Sequence, residues 1–250
     1  MTLLTLLTTR DEDWRYADPE ALAQLAPAEL EVWHEATLAP GETRSKTLIL
    51  DDAYPGLHRV RLTVGEGARA EIFAVASASA YTRLEVEVRL ATGAHFEFGG
   101  VTIGGGTATR EFVTRAVHAE PGASSNQVVR AVHWGQATGN FLGRIEVARH
   151  AQQTDAAQDF KGLLLELGAA ANAKPELEIF ADDVKCAHGA AIGEMDEAAR
   201  FYMAARGIPP ELAQKLLVRA FIADAFVAVA DERERDALFD AALAALGDKA

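Results

Sequence analysis

Polar and apolar residues alternate with a period of two over most of the chain, from Lys46 to about Val184. This alternation is typical of β-strands that bury one face. The alternating stretches include HRVRLTV, ARAEIFAVA, TRLEVEVRL, REFVTRAVHA, NQVVRAVHW and GRIEVARHA, and short turns rich in Gly, Ala and Asn separate them. No long helical pattern interrupts this region, so the sequence predicts a mainly β core.

Gly-Ala pairs recur within the strand-rich region. They begin at Gly67, Gly93, Gly122 and Gly168, with separations of 26, 29 and 46 residues. Repeats of roughly 20 to 30 residues, made of strands and tight turns, indicate a coiled solenoid. The Asn-Gly and Asp-Gly turns that antiparallel hairpins favour do not occur in the sequence. The pattern therefore predicts a β-solenoid rather than a sandwich of hairpins, with a core over residues 46–190.

Helical signals precede this core, in residues 1–45. Asp18 can cap a short helix that has Pro19 at its first position. Leu22 and Leu25 would form its apolar stripe, and Pro27 would end it. The sequence therefore predicts a short N-terminal helical arm.

The period changes to 3.6 after the core, in residues 191–250. Asp196 can start a helix, Gly207 can stop it, and Pro209 can open the next. Three helices are predicted, with apolar faces formed by Ala198, Phe201, Tyr202 and Ala205, by Leu212, Leu216, Leu217, Ala220 and Phe221, and by Leu238, Phe239, Ala242, Leu243 and Leu246. We expect this helical region to cap the end of the solenoid.

Composition and charge narrow the range of partners. A hydrophobic content of 49% supports a substantial core, while a formal net charge of −13 disfavours nucleic acid or an anionic membrane surface as a partner. The apolar opening, residues 1–7, lacks a basic flank and is too short to span a bilayer. A single cysteine cannot form an intramolecular disulfide, which indicates a reducing, cytoplasmic location.

Cys186 and His188 form the one pair of residues with clear chemical potential. They are two positions apart, where a strand is predicted to end and a helix to follow, so in extended backbone both side chains leave from one face. A soft sulfur ligand and an imidazole nitrogen could then share a metal partner. A lone Cys is more often a buried small residue, and a lone His more often a hydrogen-bonded structural group, so both alternatives stay open.

Motifs for catalysis are missing from the sequence. It holds no Walker sequence, no GxSxG and no HExxH. Asp182 and Asp183 are adjacent, which in a strand would point their carboxylates to opposite faces. The polar residues of one segment are expected to stack as hydrogen-bonded ladders inside the solenoid rather than to form an active site: Gln152, Gln153, Thr154, Asp155, Gln158 and Asp159.

The segment DDVKCAHGAAIGEMD, residues 182–196, followed by FYMAARGI, residues 201–208, resembles the SufD branch of the SufB/SufD family of iron-sulfur cluster assembly scaffold proteins. DEDWRYAD, residues 11–18, resembles a second block of the family, with Trp14 and Tyr16 expected to anchor it to the core. Further similarity lies at Ala151, Thr154, Ala156 and Gln158. The resemblance implies a right-handed parallel β-helix and a non-catalytic scaffold subunit.

The resemblance also implies partners and cargo. The chain would pair with a SufB-like scaffold by strand addition, and a SufC-like ABC ATPase that hydrolyses the ATP would dock on the C-terminal helices. His188 and Cys186 would be shared ligands of a nascent iron-sulfur cluster, because two ligands do not complete a site that generally takes about four. A reduced flavin is a further candidate for the assembled complex. The residues expected to contact partners are Phe201, Tyr202, Leu217, Phe221 and Phe226, with Phe221 and Phe226 expected to be exposed.

Two other functions compete with this interpretation. A β-solenoid can carry a carbohydrate-active carboxylate pair along a groove, but only 7% of the residues are aromatic and no tryptophan is paired with recurring acids. A structural homodimer is the second alternative, in which Cys186 would be incidental.

Overall fold

Two six-stranded parallel sheets form the core of the protein, in a computed structural model that describes residues 8–26 and 28–247. Sheet A has the order β1-β3-β5-β7-β9-β11, and sheet B the order β12-β10-β8-β6-β4-β2. The strands are β1 His34–Leu38, β2 Thr43–Leu50, β3 Gly56–Val64, β4 Arg69–Ala76, β5 Thr82–Leu90, β6 His95–Gly104, β7 Thr109–His118, β8 Ser124–His133, β9 Thr138–Val147, β10 Asp155–Leu164, β11 Ala170–Ile179 and β12 Lys185–Glu194. The helices are α1 Pro19–Gln24, α2 Glu197–Ala205, α3 Pro210–Ala223 and α4 Glu232–Leu246.

The chain alternates between the two sheets, so each pair of consecutive strands makes one coil. Coil 1 consists of β1 and β2, and coil 6 of β11 and β12. His34 pairs with Val60 in the first coils, and Thr138 pairs with Ala170 in the last, so a coil takes 26 residues early and 32 late. The prediction of a mainly β, parallel solenoid is confirmed.

The strands extend beyond the core range that the alternation predicts. β1 begins at His34, inside the range assigned to the helical arm, and β12 ends at Glu194. The length of the strand region was underestimated at both ends because polar and apolar residues alternate poorly in Thr43–Leu50 and Lys185–Glu194. The structure shows why: β2 is exposed over its first half, and β12 along nearly its whole length. The division into three domains stays a prediction.

Alternate residues of the two sheets face each other across the solenoid interior. Phe98 of β6 meets Phe112 of β7 with ring centroids 5.5 Å apart, and Phe141 of β9 stacks on Phe160 of β10 at 5.9 Å. All four rings are buried. Aromatic contacts across the coil therefore fix which face of each strand is inward.

The C-terminal helices pack against the outer face of sheet B, not over the end of the solenoid. Buried apolar residues that point outward from β4, β6 and β8 receive Val218 and Ile222 of α3, Phe226, and Leu238 of α4. The expectation of an end cap is wrong, because strands of this sheet carry a second apolar face at Phe73, Val75, Val101, Ile103 and Val132. Within residues 8–26 and 28–247, the main helix contacts therefore lie on this flank rather than on β11 and β12 of coil 6.

The N-terminal arm lies on the outer face of sheet A. Trp14 is buried and stacks on the guanidinium of Arg83, 3.8 Å from the ring centroid. The backbone carbonyl of Tyr16 accepts a hydrogen bond from Asn140. Asp18 caps α1 by accepting from the amides of the first turn, as predicted. Trp14 thus anchors the arm.

Two predictions concern residues that the structure does not describe. The apolar opening, residues 1–7, and the helix stop at Pro27 lie outside the described ranges. Within those ranges, no helix is long and apolar enough to cross a membrane.

Candidate functional site

Coil 6 is an open end of the solenoid. β11 and β12 are the last strands of sheets A and B, so each has one edge with no neighbouring strand among the described residues. β12 is exposed along nearly its whole length, and Ile192, at an inward position, keeps 47% of its surface accessible. Unpaired amides and carbonyls on such an edge can accept another strand.

Cys186 and His188 lie on β12 at this open end. They pair in register with Ala156 and Gln158 of β10, which are buried and inward. Both side chains therefore leave the edge strand on the interior side, about 7 Å apart along the backbone. The predicted common face is confirmed. The predicted strand end at this pair is wrong, because pairing with β10 continues the strand to Glu194.

The two side chains differ in accessibility. His188 is exposed, whereas Cys186 is half-buried and packs beside Ala156 and Val184. Burial, together with the nearby Asp155 carboxylate, raises the pKa of the Cys186 thiol. Cys186 is therefore largely a neutral thiol near pH 7 until a metal ion or cation favours the thiolate.

The turn before β12 is held to the previous coil by hydrogen bonds. Gln152 accepts from the amide of Asp183 through its side chain, and the amide of Gln153 donates to the carbonyl of Asp183. The amide of Lys185 donates to the carbonyl of Thr154. These contacts fix where β12 begins and hence the positions of Cys186 and His188. Asp183 therefore acts here as a turn residue rather than as half of an acid-base couple.

The polar segment before this turn only partly matches the predicted ladder. The hydroxyl of Thr154 donates to the carbonyl of Ala151, and Asp159 points outward to Arg130. Gln158 is inward and buried, but neither of its amide atoms has a hydrogen-bond partner among the described residues. Thr114 and Gln127, which the alternation did not single out, are also inward, and their side-chain polar atoms have no hydrogen-bond partner in the described part of the chain. The sequence signal that could have identified Gln127 is its spacing of two residues from Ser125, which is the spacing of side chains on one face of a strand.

The residues predicted to contact partners divide into three groups. Phe201 and Tyr202 of α2 are exposed, with 76% and 59% of their surfaces accessible. Leu217 and Phe221 of α3 are half-buried. Phe226 is fully buried and packs edge to face against Phe239, so the expectation that it is exposed is wrong.

The buried face of α3 is not the apolar stripe that the sequence predicts. Leu212 and Leu216 are exposed, and the buried residues are Ala213, Val218 and Ile222. α2 buries none of its residues and packs against α3. The large exposed apolar residues of these two helices are here together called the helical docking surface: Phe201, Tyr202, Leu212 and Leu216.

Metal-ligating side chains are sparse in the described part of the chain. Within residues 8–26 and 28–247, no three side chains of His, Cys, Asp or Glu are placed to hold a metal ion. Two of the histidines are buried: His133 contacts Thr102 and the carbonyl of Gly104, and His118 contacts Ser125. Their positions lie inside the coils, away from the exposed pair at the open end.

Comparison with known proteins places these features in a family. The family model described as the SufBD core domain of the SUF system for FeS cluster assembly matches residues 45–221. The iron-sulfur cluster assembly protein SufD of Escherichia coli is 39% identical over 109 residues, which cover 44% of this chain and 26% of that protein. SufD of Bacillus subtilis is 31% identical over 123 residues, covering 49% and 28%.

A third relative comes from a plant. Protein ABCI7, chloroplastic, of Arabidopsis thaliana is 51% identical over 87 residues, covering 35% of this chain and 18% of that protein. The matches thus span between 18% and 28% of the length of these relatives. The matched family domain extends over most of the chain, from β2 in coil 1 into α3. The chain belongs to the SufBD core family of the SUF system for iron-sulfur cluster assembly.

Proposed function

We propose that the chain is a SufD-like scaffold subunit that pairs with a SufB-like partner at the open end of coil 6. The observation that carries this proposal is the position of Cys186 and His188 on the interior side of an unpaired edge strand. In this role the chain catalyses no reaction itself and supplies half of a site on which a nascent iron-sulfur cluster is built as cargo.

The composition of the two edge strands favours β12 as the pairing strand. β11 contains Pro175, which has no amide to donate, and it carries Lys174, Glu176 and Glu178. Proline and charges are the usual means of blocking edge pairing. β12 carries charges only at its ends, Lys185 and Glu194. Strand addition is therefore unopposed along the whole middle of β12.

Pairing at β12 would complete the ligand set. Cys186 and His188 provide one sulfur and one nitrogen, and clusters generally take about four ligands, most of them thiolates. The remaining ligands would come from the partner strand facing them. The raised pKa of the Cys186 thiol fits a ligand that ionises when iron arrives rather than a permanently charged group.

A SufC-like ATPase would dock on the helical docking surface. These two packed helices, α2 and α3, expose large aromatic and aliphatic side chains, which are typical of contacts in which a helix enters an apolar groove. Leu217 and Phe221 lie at the margin of this surface, half-buried. The binding of ATP would belong to that partner.

The cluster role is tested by co-expressing the chain with SufB-like and SufC-like partners and measuring anaerobic cluster yield per complex. We expect His188→Ala to lower the yield at least about ten-fold, the size of effect typical of losing a metal ligand or its support. His34→Ala is the matched control, because His34 is an exposed histidine on the edge strand at the opposite end. Unchanged yield in His188→Ala complexes would refute the ligand role, and failure to form any heterodimer would favour a homodimeric solenoid.

Docking of the ATPase is tested separately. Phe201→Glu should weaken capture of the SufC-like partner while leaving the SufB-like partner bound. Val227→Glu introduces the same charge at another exposed apolar residue, with 77% of its surface accessible, outside the helical docking surface. Equal losses in both variants would argue against this surface.

Two further features remain family-based proposals. Reduced flavin in the assembled complex would show in the visible absorbance of the purified complex after oxidation. Free Cys186 suits a reducing compartment, the cytosol being the one we propose. Fractionation of cells that express the chain would test this location.

A further inference from the structure

At two inward positions, one in each sheet, the residue type changes from apolar to polar between coils 3 and 4. One inward ladder of sheet A runs from Val86 in coil 3 to Thr114 in coil 4. The ladder of sheet B runs from Phe98 to Gln127 over the same two coils. Two apolar side chains are thus replaced by a hydroxyl and an amide, although both replacements are as deeply buried as the residues before them.

The polar ladder continues toward the open end. Gln127 pairs in register with Gln158 of coil 5, and Gln158 pairs with His188 of coil 6. Across the interior, Thr114 is followed by Gly143. A Cβ atom at Gly143 would lie 2.5 Å from Oε1 of Gln158, so the glycine leaves room that any other residue would fill.

These buried polar groups lack partners within the protein. The hydroxyl oxygen of Thr114 and both amide atoms of Gln127 and of Gln158 have no hydrogen bond to any described residue. At most 2% of the surface of each residue is accessible. An unsatisfied buried polar group costs about 1–3 kcal/mol, so five such atoms at neighbouring positions of the two ladders favour a polar occupant.

We propose that Thr114, Gln127 and Gln158 form an internal site for ordered water that extends beneath His188 and orients its ring. The site offers both donors and acceptors and no charge, which suits water, since a buried water typically makes two to four hydrogen bonds. An ion would require a charged or multidentate set of ligands, and these three residues do not provide one. Water therefore bridges the two amides and the hydroxyl.

The consequence for His188 rests on the proposed function. A histidine that binds a metal through one ring nitrogen needs a hydrogen-bond partner on the other to fix its tautomer. Gln158 is the register neighbour of His188, about 4.8 Å away on the adjacent strand, and its amide is unpartnered. Through one bridging water it selects one tautomer, so Gln158 is a positioning residue for the shared site.

Two measurements on the full chain test the inference. In a high-resolution crystal structure, we expect a water within hydrogen-bond distance of Gln158 and of Thr114 or Gln127. In long-range proton-nitrogen NMR spectra at a pH where the ring is neutral, His188 should favour one tautomer. Gln158→Leu should shift its tautomer ratio about three-fold or more, the effect of losing one hydrogen bond. Gln136→Leu, the same change at an exposed turn residue, should leave the ratio unchanged.

The outcomes separate this inference from the proposed function. A dry interior, or an unchanged tautomer ratio in folded Gln158→Leu, would overturn the inference whatever His188 does in the complex. If Gln158→Leu does not fold, the crystal structure of the unaltered chain decides, because the water is required there. Ordered water and a tautomer shift, combined with normal cluster yield for His188→Ala, would sustain the internal site and refute only the ligand role.

Discussion

Gly99 controls how closely the C-terminal helices approach sheet B. It lies on the outer face of β6, and a Cβ atom built there would be 1.9 Å from the carbonyl oxygen of Ala225 and 2.8 Å from the ring of Phe73. Ordinary contact begins near 3.4 Å. Gly99→Ala therefore requires a shift of about 1.5 Å of backbone that cannot rotate away. Such a shift would also strain the packing of Phe226, the residue after Ala225, which is fully buried.

We expect Gly99→Ala to lower the free energy of unfolding by ~3 kcal/mol, the upper part of the usual range for overpacking. Gly193→Ala is the control, because it makes the same change in β12 where no atom lies within 4 Å. Chemical denaturation followed by circular dichroism measures both. A loss below ~0.5 kcal/mol for Gly99→Ala, similar to that of the control, would refute the placement of the helices on this flank.

Three other predictions follow from burial. Burial lowers the pKa of His118 to about 4 and of His133 to about 3, so these histidines take up protons in the unfolded chain before they do so in the folded chain. The free energy of unfolding should therefore decrease as the pH falls from about 6.5 to about 4. Constant stability in denaturation experiments over this range would contradict the prediction. Alkylation of Cys186 at neutral pH should be slower in the folded than in the denatured chain, because the raised pKa of the folded thiol leaves less thiolate. Mass spectrometry measures both rates, and equal rates would argue against a raised pKa. Phe226→Ala should cost ~3–5 kcal/mol of unfolding free energy and the exposed Val227→Ala less than ~0.5 kcal/mol, and equal values would contradict the assigned burial.

The strand pattern could be derived from the sequence because each coil repeats one simple constraint. Alternation marks inward positions, and it placed Cys186 and His188 on a common face. It did not show that β12 continues to Glu194, since KCAHGAAIGE is poor in the β-branched and aromatic residues that favour strands. Pairing with β10, a contact distant in sequence, decides the conformation of this segment.

The positions of the helices depended on information that a periodic pattern does not contain. α3 carries apolar residues on several sides, so Leu212 and Leu216 fitted a buried stripe as well as Val218 and Ile222 did. The outward apolar residues of sheet B select the second face, and Gly99 permits the close approach. Phe226 was misplaced for the same reason: a receiving surface made by β4, β6 and β8 exists only after the coils have stacked.

Arg130 links the C-terminal end of α3 to β10, the strand beside β12. Its guanidinium is buried and contacts Oδ2 of Asp224, next to the end of α3, at 3.0 Å and Oδ2 of Asp159 in β10 at 2.6 Å. Asp159 pairs in register with Gly189, the residue after His188. A buried cation that loses a carboxylate is costly, so Arg130 resists any separation of the two. We therefore expect a partner that moves α3 to pull on β10 and, through the strand ladder, on β12. This would couple the docking that we propose for α2 and α3 to the geometry at His188 without a direct contact between the two sites.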